Sequence, residues 1–174
     1  MFLLLFLIFG FSFGLIRAGS LRHIQECKLR CTGLVLLALL LQVVAFSPMG
    51  VKLPATIPAM THVLSYVLLV IFLGSNLRQP GFSIMGVGLL SNSLAIAVND
   101  GYMPILAENL IWLGLAEDGV LNNSVVIGSS TPLWWLGDIF LLPLPLIGNV
   151  FSVGDVFIGT GAAYFAYRAV RPHT

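Results

Sequence analysis

By type and setting, Asp138 and Asp155 are the residues of this 174-residue chain best suited to chemistry. They are two of its four aspartates, and they flank Pro143-Leu-Pro145 within Trp134 to Gly161, a stretch otherwise dominated by apolar residues. A carboxylate in such surroundings is costly and by default marks function. If the prolyl hinge folds the chain back on itself, the two carboxylates face each other across it. Two close carboxylates share a proton because both cannot ionise together. One then acts as a base toward water and the other as an acid. The same pair could instead bind a cation or face a partner's Lys or Arg. Asp155 also has a structural explanation: Ser152-Val-Gly-Asp155 is an S-x-x-D analogue of the capping box, in which each side chain satisfies the other's backbone amide. An acid in a first helical turn also suits the helix dipole. Neither explanation reaches Asp138, which follows Gly137 ahead of the hinge.

The elements that must position these residues are apolar helices. The chain is 58% hydrophobic and 9% charged, with a mean hydropathy of +1.01. Soluble domains carry about 25% charged residues, so the deficit points to lipid as the solvent. The expected fold is all-α: an integral membrane bundle of about five transmembrane helices in one domain, with a partly inserted, proline-hinged segment before the last helix. The spans are expected at about 1–16, 32–46, 60–75, 82–98 and 150–170, with an outer loop over 99–149. Within that loop a short amphipathic helix is expected around Ile105 to Leu115. Leu133 to Ile147 is too short and proline-broken to span, so it is read as re-entrant.

Topology follows from charge. With five spans and the N-terminus outside, Arg17, Arg22, Lys28, Arg30, Arg78, Arg168 and Arg171 lie inside and Lys52 alone lies outside. That asymmetry obeys the positive-inside rule and predicts a multi-pass membrane protein with the N-terminus outside and a cytoplasmic C-terminus. It also gathers Asn99, Asp100, Asp138 and Asp155 toward the outer leaflet. Asp138 and Asp155 are the candidate catalytic residues, and Asn99, Asp100 and Asn149 the candidate substrate-binding residues.

Other chemistry is poorly served. A net charge of +1 without a basic stripe gives no case for nucleic acid. His23, Cys27 and Cys31 would share one face of a helix, but a structural zinc site takes four ligands and no fourth is near, so no metal is expected. The preferred reading of Arg17 to Arg30 is an interfacial turn beside anionic lipid. His62 is isolated in sequence, and Ser91, Asn92 and Ser93 read as interhelical hydrogen-bonding groups. No nucleotide-binding loop or haem signature is present, and no cofactor is expected.

Two resemblances bear on function. Phe151-Ser-Val-Gly-Asp155, followed by Val-Phe-Ile-Gly and a small-residue helix, resembles the last motif of type II (lipoprotein) signal peptidases. That resemblance implies that Asp155 is one of two catalytic aspartates, with Asp138 a candidate for the other; Asn99-Asp-Gly101 resembles the same family's Asn-x-Gly. The chain departs from that pattern in having Ser152 for the motif Asn and in lacking Asn and Arg around Leu136-Gly-Asp138. Over most of its length it resembles a bacterial family of small polytopic membrane proteins of unknown function, which implies a location in a bacterial inner membrane. The match lies in the basic first loop, Asn99-Asp-Gly-Tyr-Met-Pro104, Leu136-Gly-Asp138, Pro143-Leu-Pro145 and Asn149-Val-Phe-Ser-Val-Gly-Asp155. The functional expectation is an accessory or scaffold subunit packed against larger membrane partners within the bilayer. The alternative is a membrane-embedded aspartyl hydrolase. An ion or small-molecule carrier would call for an inverted repeat, and none is visible.

Overall fold

The computed structural model describes residues 2–17, 19–47, 52–54, 56–114, 123–144 and 148–172. Five long helices dominate: α1 (Phe2–Ile16), α2 (Thr32–Ala45), α3 (Thr56–Ser75), α4 (Phe82–Val98) and, last in the chain, α6 (Val153–Ala169). Among the described residues α3 is the one helix long and apolar enough to cross a membrane by itself. Its 20 residues rise about 30 Å, the thickness of a hydrocarbon core. α1, α2 and α4 are apolar but shorter, so the mostly helical class is met and the expected five spans reduce to one clear candidate. α3 begins before the expected Met60 because Pro58 sits in its first turn, where a missing N–H costs nothing. α6 begins after the expected Val150 because Asn149–Phe151 is a strand.

The helices pack in the order α2, α3, α4, α6, α1. The α4–α6 contact rests on glycines seven residues apart on each helix. A Cβ at Gly88 would lie 2.2 Å from the Gly154 carbonyl oxygen, and one at Gly161 would lie 2.5 Å from that of Gly81. The two backbones therefore touch at both levels, and only glycine fits. α1 approaches α6 in the same way, with a Cβ at Gly10 falling 2.2 Å from the Ala163 carbonyl oxygen; Gly10 and Gly14 form the small-xxx-small pattern that close helix pairs use. The opposite end of the row is open. α2 buries Ala38 and Ala45, while Leu36 and Val43 are 70% and 68% exposed.

The expected outer loop is a small β-containing cap. β1 (Met103–Ile105) pairs in parallel with β2 (Ser124–Val126), and a bridge from Ile105 to Asp138 extends β1 on its other side. The expected amphipathic helix is the short α5 (Ala107–Trp112), with Ile105 in the strand before it; Leu115 lies outside the described residues. Within the segment expected to be partly inserted or re-entrant, Trp134–Leu136 makes one 3-10 turn, and β3 (Phe140–Leu142) forms an antiparallel hairpin with β4 (Asn149–Phe151). The strand ladder satisfies the backbone groups that a proline-broken helix would have left open. Of the hinge, Pro143 and Leu144 are described and Pro145 is not. Ile105, Leu110 and Val150 form the cap's core, and Met103 and Leu136 pack on Ala95 and Ile96 at the end of α4. The cap is thereby fixed to the helical layer.

Candidate functional site

Asp155 is positioned by its own helix end. The Ser152 amide donates to Asp155 Oδ2 at 3.0 Å and the Asp155 amide donates to Ser152 Oγ at 3.0 Å, a complete capping box. Asn92 of α4 locks this cap from the side: its Nδ2 donates to Asp155 Oδ1 at 2.9 Å, and its Oδ1 accepts from Ser152 Oγ at 2.9 Å. Tyr66 of α3 lies beside Asn92. Asn92 reaches the cap because residue 154 is glycine, where a Cβ would sit 2.0 Å from Asn92 Oδ1. Asn92 and Ser152 are fully buried, and every polar atom of the cluster that burial would otherwise orphan is paired.

Asp138 is positioned by its backbone. Its amide donates to the Pro104 carbonyl at 2.7 Å, and its own carbonyl accepts from Asn109 Nδ2 at 2.9 Å. Gly137 permits this approach, since a Cβ there would fall 2.4 Å from the Pro104 carbonyl oxygen. The side chain, outside the long helices, is left to its surroundings. Burial, and secondarily the negative charge of Asp155, push the Asp138 carboxyl up to about 7. The hairpin over the hinge thus brings the two aspartates within electrostatic reach of each other. They are not equivalent: Asp155 has both oxygens engaged by donors, whereas Asp138 is desolvated.

A groove of about 520 Å³ runs along the helical layer from this end. Asn149, Asp155, Gln42 and Tyr66 supply its polar groups, and Leu69, Leu73, Met85 and Leu89 line its apolar length. Leu3 of α1 and Val35 and Leu39 of α2 also line it. The two ends of the helix row therefore face one space. Its size lies in the range of small-molecule pockets, which are likewise mostly apolar with a few placed polar groups.

The remaining sequence candidates divide. Asn149 lines the groove beside Asp155. Asn99 is buried and donates to the carbonyls of Ala95 at 2.8 Å and Pro132 at 3.0 Å, which ties the end of α4 to the cap. Asp100 is exposed and left-handed, with φ of 57° in the turn before Gly101. The His62 and Ser65 positions, unremarkable in sequence, form a second buried chain. His62 Nδ1 donates to the Gly101 carbonyl at 2.8 Å, Ser65 Oγ to the His62 carbonyl at 2.7 Å, and Gln42 Nε2 to Ser65 Oγ at 2.9 Å. The His62 ring packs edge-on against Phe46 and Tyr66. Asn92 was legible as a polar residue in an apolar helix, but its partners lie about 60 residues away on α6.

His23, Cys27 and Cys31 do not share a helix face. The 3-10 turn Leu21–Glu26 ends before Cys27, Cys31 is left-handed ahead of α2, and the His23 ring donates to the Val170 carbonyl at 3.1 Å. Among the described residues no group of three or more His, Cys, Asp or Glu is arranged to hold a metal ion.

No solved structure matches the chain. A protein of Thermotoga maritima, described as an uncharacterized protein, is 31% identical over 110 residues, which cover 63% of this chain and 62% of that relative. The chain thus aligns with less than two thirds of the relative's length. Residues 26–167 match DUF5317, a family of unknown function, and the chain belongs to that family.

Proposed function

We propose that the protein is a five-span integral membrane protein whose role is to bind rather than to react, and that its ligand is a single amphiphile held in the groove between α1 and α2. The observation that carries this is the shape of the groove: polar at the α6 N-terminus, apolar along α3 and α4, and flanked by the two ends of an unclosed helix row. The groove's volume of about 520 Å³ falls in the range of small-molecule pockets. A small amphiphile fits. The Asp155 carboxylate offers about four acceptor sites, and the cap and Asn92 occupy one on each oxygen, so a hydroxyl or amine head group suits the polar end.

Five spans are supported by the exposed apolar faces of α1 and α2 and by the collection of basic residues at one end. Arg30 is bonded to Asn76 beside Arg78, and the loop after α1 is bonded to Val170 near Arg171. Helices shorter than the bilayer core are accommodated by local thinning at modest cost. This orientation puts the N-terminus outside and the C-terminus in the cytoplasm of a bacterial inner membrane. Cysteines placed at Lys52 and Arg78 test it: an impermeant thiol reagent should label the first in intact cells and not the second, and labelling of both from outside would refute the topology. The exposed faces of α1 and α2 also support the accessory-subunit reading, but lipid covers such faces equally well, so the groove carries the proposal.

For ligand binding, lipid extracts of protein purified in mild detergent should contain one enriched amphiphile by mass spectrometry. Leu39→Trp, which fills the groove from the exposed face of α2, should abolish that enrichment without lowering the yield of folded protein. Equal recovery from both proteins would end the proposal.

One observation favours a second reading, an aspartyl hydrolase related to the signal peptidases. Asp138 is desolvated and feels the charge of Asp155, as the proton-sharing half of a carboxylate pair would. Cleavage of a lipid-anchored precursor peptide that survives in both Asp138→Asn and Asp155→Asn would exclude it.

A further inference from the structure

A second cavity, of about 630 Å³, lies at the opposite end of the helices and is lined by Lys28, Arg30, Gly74, Ser75, Asn76, Leu77, Arg78 and Gln79. Three of the chain's eight basic residues converge on it, and no acidic residue lines it among the described residues. Their convergence is built. Asn76, which is 4% exposed, accepts from the Arg30 amide at 2.8 Å and donates to the Arg30 carbonyl at 2.9 Å and the Phe72 carbonyl at 2.8 Å. Gln79 Nε2 donates to the Lys28 carbonyl at 3.1 Å. Two segments about 46 residues apart are thus stapled backbone to side chain, and each presents its cations to the same hollow. One basic residue beyond α3 would suffice to complement the helix C-terminus. Three like charges around a concavity repel one another until a counter-anion enters, and guanidinium forks match the oxygens of a phosphate bidentately.

We propose that this cavity binds the phosphate of an anionic phospholipid headgroup, fixing the protein's cytoplasmic end to one lipid. The assignment of lipid as the source rests on the membrane reading above; the phosphate chemistry does not. The site differs from the groove in position, charge and ligand.

The test uses full-length protein in nanodiscs of mixed phosphatidylglycerol and phosphatidylcholine, with bound lipid read by native mass spectrometry. Phosphatidylglycerol should be retained preferentially, and Lys28→Ala, Arg30→Ala and Arg78→Ala should each lower that preference about fivefold, the weight of one basic residue near an anionic surface. Since these side chains are exposed, melting temperatures should stay unchanged, which separates binding from folding. Equal retention of the two lipids, or a triple variant that keeps the preference, overturns the proposal. Release of phosphatidylglycerol by millimolar inorganic phosphate reassigns the site to a soluble phosphate and overturns the lipid source. A chain that remains dispersed without detergent defeats the membrane reading instead, a distinguishable failure.

Discussion

Asn92 is the side chain on which the polar end of the groove depends. It bonds both Ser152 and Asp155, so one amide ties the middle of α4 to the start of α6. Asn92→Ala strands the Ser152 hydroxyl and one Asp155 oxygen, and an unmet buried polar group costs about 1–3 kcal/mol. Thermal unfolding in detergent should show that loss, whereas Ser91→Ala should be nearly silent. Asp138 makes a pH-dependent prediction. Its folded-state pKa of about 7 exceeds the ordinary carboxyl value of 3.8, so the folded state holds a proton that the unfolded chain has released. Its contribution therefore falls as pH rises from about 4 to about 7 and is constant above that. Asp138→Asn should flatten this part of the stability profile and raise the melting temperature more at pH 8 than at pH 5. Asp155→Asn removes the second cause of the shift, so Asp138 in that variant should titrate lower. Unchanged profiles would show that Asp138 is solvated.

At the level of elements, the α4–α6 pair sets the site's geometry because its glycines bring the backbones into contact. Gly88→Ala and Gly161→Ala each place a methyl within 2.5 Å of a backbone oxygen. Overpacking of this kind typically costs about 1–3 kcal/mol. Gly154→Ala should cost at least as much, because its methyl would also displace Asn92 and open the cap. Gly33→Ala and Gly86→Ala, where the added carbon meets nothing within 4 Å, are the controls and should be neutral or slightly stabilising. Equal melting temperatures for Gly88→Ala and Gly86→Ala would disprove the close-contact account. The β3–β4 hairpin plays the complementary part: its register, Phe140 opposite Phe151, turns the chain back and brings Asp138 toward Asp155.

At the level of the whole molecule, an unclosed row of five helices carries a small cap at one end and a basic hollow at the other. The two binding proposals separate along this axis. Filling the groove with Leu39→Trp should leave phosphatidylglycerol retention intact, and removing Lys28, Arg30 and Arg78 should leave the amphiphile in the groove. Loss of both ligands in either variant would mean that the ends are one coupled system.

Composition shows that the chain is apolar, and long apolar runs such as Leu34–Leu41 point to helices, which the structure has in these regions. The capping box at Ser152 and Asp155 was legible because its two members are three residues apart and act locally. Likewise, the motifs around Asn99, Leu136 and Asn149 pointed to a family of unknown function, and the chain belongs to one. What sequence could not supply were contacts between distant segments. The strands of the cap are three residues each, too short to carry an alternating pattern, and exist only because partners elsewhere in the chain complete them. Asn92 reads as generic helix packing until Gly154 makes room for it, and His62 reads as isolated until Gly101 folds over it. Asp138 acquires its raised pKa from burial and from the charge of Asp155 beyond the hinge. Local chemistry was written in neighbouring residues; the groove, the basic hollow and the unequal states of the two aspartates arise from tertiary contact, since burial and proximity are properties of packing rather than of spacing.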